Sequence, residues 1–276
     1  MKLRNAGRGA VVAVLASAVL LVTASASPSA SAASVALPAY PQVFGHGGYP
    51  TGDAPWDRDQ VRQPNNPRAL AEQKSWGADG VEGDLQLTMN GTKGVMWHNS
   101  TTNGLSGTRK AITEIPWASG ADKLQGRQII RGPYKGETVY TFREWLDRLN
   151  ALKLVAFVEL KGEAKQSLLH SDDTVRDSAW RQVLDPIRER IAAQEILIYT
   201  RDDRLRPELD RRIRAAGLEA TLRDHPQWVD GIGWEEPPPA ASGNYPRWQS
   251  TLAQGPRRIG TSWTKDYKAW LKGKCA

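Results

Sequence analysis

Six polar residues stand out by type and position: His46, Glu82, Asp84, His98, Glu159 and Lys161. Glu82 and Asp84 are separated by one residue, so on an extended chain both carboxylates project from the same side. Two like charges held that close repel unless a cation lies between them. A divalent ion is the natural mediator. A third carboxylate from Glu159 would complete an all-oxygen set of the kind preferred by the hard ions Mg²⁺ and Ca²⁺. No His-x-x-x-His pair or cysteine lies nearby, which argues against zinc. Two histidines beside such an ion could flank a phosphorus atom, one taking a proton from an attacking hydroxyl and the other giving one to the leaving oxygen.

These side chains can meet only if the chain brings strand ends together. The spacing predicts a strand over 43–48, a helix over 67–76 that opens at Pro67 and closes at Gly77, and a strand over 80–88. An Asn90-Gly91 turn leads into a third strand over 94–98. Residues 99–137 lack periodicity and read as a long irregular insertion above the mouth of the sheet. Beyond them the pattern predicts helices over 141–152, 174–193, 203–216, 245–253 and 265–271, and strands over 154–160, 195–200, 218–222, 231–234 and 258–263. Eight strands, mostly alternating with helices and rich in apolar runs, predict an α/β fold: a (β/α)8 TIM barrel with its site at the C-terminal strand ends. Each of the six polar residues falls at or just beyond such an end.

The remaining aromatics and histidines carry two readings each. Trp234 and Trp263 could grip a substrate headgroup at the barrel mouth, or fill helix contacts; Trp56, Trp97 and Trp117 pose the same choice. His170 and His225 read as structural.

The chain has 276 residues and a formal net charge of +7. Lys2, Arg4 and Arg8 precede an apolar run over 10–22 and a Ser/Ala-rich stretch with Ala-x-Ala triplets, the pattern of a secretory signal peptide over 1–33. Three positive charges would leave with it, so the mature chain over 34–276 is expected to be a mildly basic, extracellular single-barrel domain. No later apolar segment approaches the roughly 20 residues of a membrane-spanning helix. Lys and Arg are scattered and no nucleic-acid-binding motif occurs, so the expected partner is a small anionic molecule rather than nucleic acid. The one cysteine, Cys275, allows no intramolecular disulfide, and a monomer is expected.

Four segments in order, Gly45-His46-Gly47-Gly48, Gly77-Ala78-Asp79-Gly80-Val81-Glu82-Gly83-Asp84-Leu85-Gln86-Leu87-Thr88-Met89-Asn90-Gly91, Val95-Met96-Trp97-His98-Asn99 and Val158-Glu159-Leu160-Lys161, are similar to the successive motifs of the glycerophosphodiester phosphodiesterase family. The similarity spans residues 43–161, with the later strands agreeing in layout. The resemblance implies a barrel. It implies His46 and His98 as the acid–base pair, Glu82, Asp84 and Glu159 as ligands of one divalent cation, and Lys161 as a phosphate contact. It further implies hydrolysis of a glycerophosphodiester to glycerol phosphate and an alcohol, through attack by the glycerol's neighbouring hydroxyl and a cyclic phosphate.

Two positions depart from the family pattern. The arginine after the first histidine is Gly47, and the Pro-Glu-Asn-Thr segment is Pro64-Asn65-Asn66-Pro67, without its glutamate. Arg58, Arg62 or Arg68 could restore the lost positive charge, and residues 49–63 lengthen the first loop. These departures bring the chain closer to the sphingomyelinase D branch of the same superfamily. Two alternatives therefore stand beside the leading one: a phospholipase D-like enzyme acting on lysophospholipid or sphingomyelin, and a non-catalytic barrel that binds phosphodiesters.

Overall fold

The computed structural model describes residues 40–47, 65–102, 108–130, 134–222 and 244–274. Met1–Ala36 separate from a compact unit spanning Leu37–Ala276 and lie outside the described residues. Within that unit the order is β1 (Gln42–Gly45), α1 (Pro67–Ser75), β2 (Gly80–Leu87), β3 (Gly94–Met96), α2 (Phe142–Leu152), β4 (Val155–Leu160), the short α3 (Lys165–Leu168), α4 (Asp173–Arg188), β5 (Ile196–Tyr199), α5 (Arg206–Ala215), α6 (Asn244–Leu252), β6 (Arg258–Thr261) and α7 (Thr264–Lys272).

Five strands run parallel in the order β5-β4-β2-β1-β6, and β3 pairs antiparallel with β2 off that path. Alternate side chains point to opposite faces of each strand. On the outer face Val81 and Leu85 of β2, Ala156, Val158 and Leu160 of β4, and Ile196 and Ile198 of β5 pack under Leu70, Trp145, Leu149, Trp180, Val183, Leu209 and Ile213 of the helices. On the inner face Phe44, Phe157 and Leu197 form a separate apolar layer, with the Phe44 and Phe157 rings edge to face at 6.0 Å. Below that layer, Arg258 donates from Nε to Gln42 Oε1 at 2.9 Å and from Nη2 to Glu195 Oε1 at 2.6 Å. Glu195 precedes β5 and Arg258 opens β6, the two outermost described strands. Their bridging across the inner face means that the sheet curves round on itself, as a barrel wall must.

Local chemistry explains the element ends. Thr141 caps α2 reciprocally: its Oγ1 accepts from the Glu144 N–H at 3.2 Å, and Glu144 Oε2 accepts from the Thr141 N–H at 2.8 Å. Asn66 Oδ1 accepts from the Arg68 N–H at 2.8 Å and starts α1.

Three expectations are corrected. The stretch over 218–222 is a 3-10 turn, Glu219–Leu222, rather than a strand. The Leu218 carbonyl is satisfied locally by the Thr221 N–H and Oγ1–H, which leaves nothing for a ladder. The strand beginning at Gly94 is not a barrel stave but the returning arm of a hairpin, its turn made by Asn90 and Gly91 at φ 56° and 65°. The helix expected over 174–193 stops at Arg188 and runs on as tight turns, in which the Arg190 N–H donates to the Ile187 carbonyl and the Ala193 N–H to the Arg190 carbonyl. The strand expected over 231–234 lies outside the described residues. The insertion contains little regular structure, but Val95, Trp97, Ile112, Ile115, Leu124, Ile129 and Val139 give it an apolar core of its own.

Candidate active site

The upper rim of the inner face is built around β2. Asp84 stands opposite Glu159 in the register of the adjacent parallel strand β4, and Glu82 lies one pleat lower on the same side. All three carboxylates are buried, and a donor oxygen from each lies within 4.8 Å of the others. Lys161 Nζ sits between two of them, 3.3 Å from Asp84 Oδ1 and 3.2 Å from Glu159 Oε1. Burial would push that ammonium down, but Asp84 and Glu159 outweigh it and hold the pKa up.

Both histidines are tied to β2. Gly47 adopts φ 52°, a conformation open to glycine, and its N–H donates to Glu82 Oε2 at 2.9 Å; this fixes His46 beside the acidic trio. His46 Nδ1 lies 3.0 Å from Ser262 Oγ at the end of β6. His98 reaches the rim because β2 runs past the trio and β3 folds back along it, until the Trp97 N–H donates to the Asp84 carbonyl at 2.8 Å. The Gln86 amide secures this return, donating from Nε2 to the carbonyls of Trp97 at 2.8 Å and Asn99 at 2.6 Å. His98 Nδ1 is 2.5 Å from Asn99 Oδ1.

The structure therefore brings His46, His98, Glu82, Asp84, Glu159 and Lys161 to one strand and its immediate neighbours. Trp263 does not join them: its ring lies in a cluster with Val43, Trp248, Ile259, Tyr267 and Leu271, so it serves helix packing rather than an open mouth. Trp97 is likewise buried in the insertion's core. His170 accepts from the Asp172 N–H at 3.0 Å before α4, a structural role. Trp234, Trp56 and His225 lie outside the described residues, as do Arg58 and Arg62. Arg68 lies over the Tyr134 ring and 3.6 Å from Glu137, away from the trio.

Four participants were not singled out from sequence. Asn65, at φ 43°, donates from Nδ2 to Asp84 Oδ2 at 3.2 Å and accepts from the Asp84 N–H at 3.3 Å. Where the resemblance implied a glutamate, a neutral amide braces Asp84 without adding a fourth negative charge. The Tyr199 hydroxyl donates to Glu159 Oε2 at 3.1 Å, and Arg201 Nε lies 3.4 Å from the same oxygen. Ser262 is the fourth. The strand-end rule applied to 195–200 and 258–263 points to this neighbourhood, but nothing in their local sequence distinguishes them from ordinary surface residues.

The trio fits a hard divalent ion. Burial raises the Glu82 pKa well above the ordinary glutamate value of 4.5, and the charges of Asp84 and Glu159 raise it further. A carboxyl so placed gains from protonation or from a cation. Because the folded-state pKa is raised, the stability associated with a protonated Glu82 is present at low pH and is lost as pH rises from 4.5 through the raised value. Melting curves without metal should therefore fall across that window, and the gain in melting temperature on adding Mg²⁺ or Ca²⁺ should grow with pH. A metal-dependent gain independent of pH would count against this electrostatic picture.

Five parallel strands curving round beneath a helical layer form the wall of a (β/α) barrel of the TIM class, with an acidic, histidine-flanked upper face. The fold is similar to that of a protein from Silicibacter pomeroyi DSS-3 assigned as a glycerophosphoryl diester phosphodiesterase, with a TM-score of 0.57 and 16% identity over 86% of this chain and 95% of that one. A glycerophosphodiester phosphodiesterase from Agrobacterium tumefaciens C58 is similar at a TM-score of 0.53 and 12% identity, over 83% of this chain and all of that one. No family model and no curated protein sequence matches the chain. No helix among the described residues is long and apolar enough to cross a membrane.

Proposed function

We propose that this chain is a metal-dependent phosphoric diester hydrolase that cleaves glycerophosphodiesters to glycerol phosphate and an alcohol. The observation that carries the reading is the convergence of three buried carboxylates and two histidine-bearing loops on one strand, β2. The kinship in fold with proteins assigned to that reaction supports it.

Glu82, Asp84 and Glu159 would hold Mg²⁺ or Ca²⁺, which neutralises charge on the phosphoryl oxygens when bound. Asn99 Oδ1 is an acceptor, so His98 carries its proton on Nδ1 and leaves Nε2 as the base that takes the proton of the attacking hydroxyl. His46, oriented at Nδ1 by Ser262, gives a proton to the departing oxygen. The attacking hydroxyl is the glycerol's own. The resulting cyclic phosphate is opened by water with the two histidines exchanging roles. Export fits this chemistry: the leader-like segment over 1–33 supports secretion, where deacylated lipids and glycerol-phosphate polymers are available.

The test is phosphorus NMR of purified enzyme with glycerophosphocholine and lysophosphatidylcholine, each with Mg²⁺, Ca²⁺ or EDTA. Turnover of the first to glycerol phosphate, abolished by EDTA, is expected. Turnover of lysophosphatidylcholine alone would shift the assignment to a phospholipase D-like reaction, and ligand binding with no turnover of either would make the barrel a binding protein.

A further inference from the structure

Charge balance at the rim identifies one more participant. A phosphodiester anion must approach three carboxylates, and the cations near them differ in availability. Lys161 is only 17% exposed and lies between Asp84 and Glu159. Lys165 is paired with Asp202 at 2.5 Å. Arg201 differs from both. It follows β5 by two residues, on the same side as Tyr199, whose ring stacks on Phe157 at 4.8 Å and whose hydroxyl reaches Glu159. Its Nε is anchored 3.4 Å from Glu159 Oε2 while the side chain remains 63% exposed.

A guanidinium presents five N–H donors in a rigid planar fork, and Glu159 and the Tyr199 hydroxyl use only part of that set. The remaining edge matches two oxygens of a phosphate. Resting on the hydrolase reading above, we propose that Arg201 is a substrate-binding residue that holds the phosphoryl group over the acidic trio, with Glu159 and Tyr199 orienting it. Positive charge at this rim is then supplied from the end of β5, not from the residue after His46, which is Gly47.

Arg201→Ala and Arg201→Lys test the assignment against wild type by two readouts. The first is steady-state hydrolysis of glycerophosphocholine with Mg²⁺. The second is calorimetric binding of sn-glycerol 3-phosphate, which needs no turnover. The alanine variant should raise KM and weaken sn-glycerol 3-phosphate binding by about 10- to 100-fold, the loss expected for hydrogen bonds to a charged group, with a much smaller change in kcat. Lysine should restore part of the binding, because it keeps the charge but not the fork. Mg²⁺ affinity should hold or tighten in both variants, since a cation beside Glu159 has been removed or displaced. Unchanged sn-glycerol 3-phosphate binding in Arg201→Ala overturns the proposal, as does wild type that fails to bind this ligand. Weakened Mg²⁺ binding with unchanged anion binding would mean that Arg201 only braces Glu159. A wild type that binds sn-glycerol 3-phosphate but hydrolyses no diester, with that binding lost in Arg201→Ala, would retain Arg201 and discard the hydrolase reading.

Discussion

Replacing His98 by alanine should lower kcat for glycerophosphocholine by about 10²- to 10⁴-fold, the usual worth of a positioned general acid or base, and His46→Ala should cost a similar factor. Neither change should unfold the protein. His98 is partly exposed at the end of a hairpin that Gln86 and the Trp97 N–H hold through the backbone, and the Gly47 N–H to Glu82 bond does not involve the His46 ring. The two variants should separate when the leaving group is changed. Nitrophenolate departs from a nitrophenyl ester of glycerol phosphate without needing a proton, so in a single turnover His46→Ala should release nitrophenol at close to the wild-type rate while His98→Ala should not. Full activity of either variant on glycerophosphocholine would remove that histidine from the mechanism. Equal recovery of both on the activated ester would reverse or abolish the division of roles.

Glu82→Gln should have an equally large effect on activity with the opposite effect on stability. The glutamine can still accept from the Gly47 N–H, and its amide nitrogen can donate to Asp84 or Glu159, so two repulsive contacts become attractive. The metal-free variant should therefore melt higher than wild type at neutral pH, because a buried carboxylate crowded by the charges of Asp84 and Glu159 is gone. Its pH dependence should flatten over the window in which wild type weakens. Mg²⁺ and Ca²⁺ should no longer raise its melting temperature. Loss of the several kcal/mol that a bound ion supplies to the transition state predicts a fall in turnover on the order of 10³-fold. Scanning calorimetry at several pH values, with and without each ion, reads all of this. A metal-induced shift as large as that of wild type would exclude Glu82 from the ligand set, and a variant that melts lower would show the trio to be held together by something other than a cation.

Much of this site was legible in the chain. Period-two spacing alone puts Glu82 and Asp84 on one side of a strand, and the apolar strand before Glu159 and Lys161 places them at an end. The Pro67 start and the Asn90-Gly91 turn are local signals that survive into the fold. Other features were invisible because their cause is distant in sequence. The stretch over 218–222 has an apolar character suited to a strand, yet its backbone closes on itself while Leu222 packs against the inner-face layer of Phe44, Phe157 and Leu197. Trp263 has the chemistry of a binding residue and is buried by neighbours 15 and 220 positions away, Trp248 and Val43 among them. Asn65 looks like a loss when set against a motif, and becomes a partner only when it meets Asp84 across 19 residues.

By itself the sequence determined which groups are present, on which strand face each carboxylate lies, and that strands and helices alternate. Each of these depends on backbone periodicity and on residues within a turn or two of one another. Tertiary structure alone decided that β3 turns back to deliver His98, that Ser262 and Asn65 fix the orientation of groups on other strands, and that Lys161 is enclosed between carboxylates while Arg201, anchored to Glu159, stays open to solvent. The reason is physical: charge, burial and hydrogen-bond partners are properties of a neighbourhood, and this neighbourhood is assembled from strand ends up to 216 residues apart.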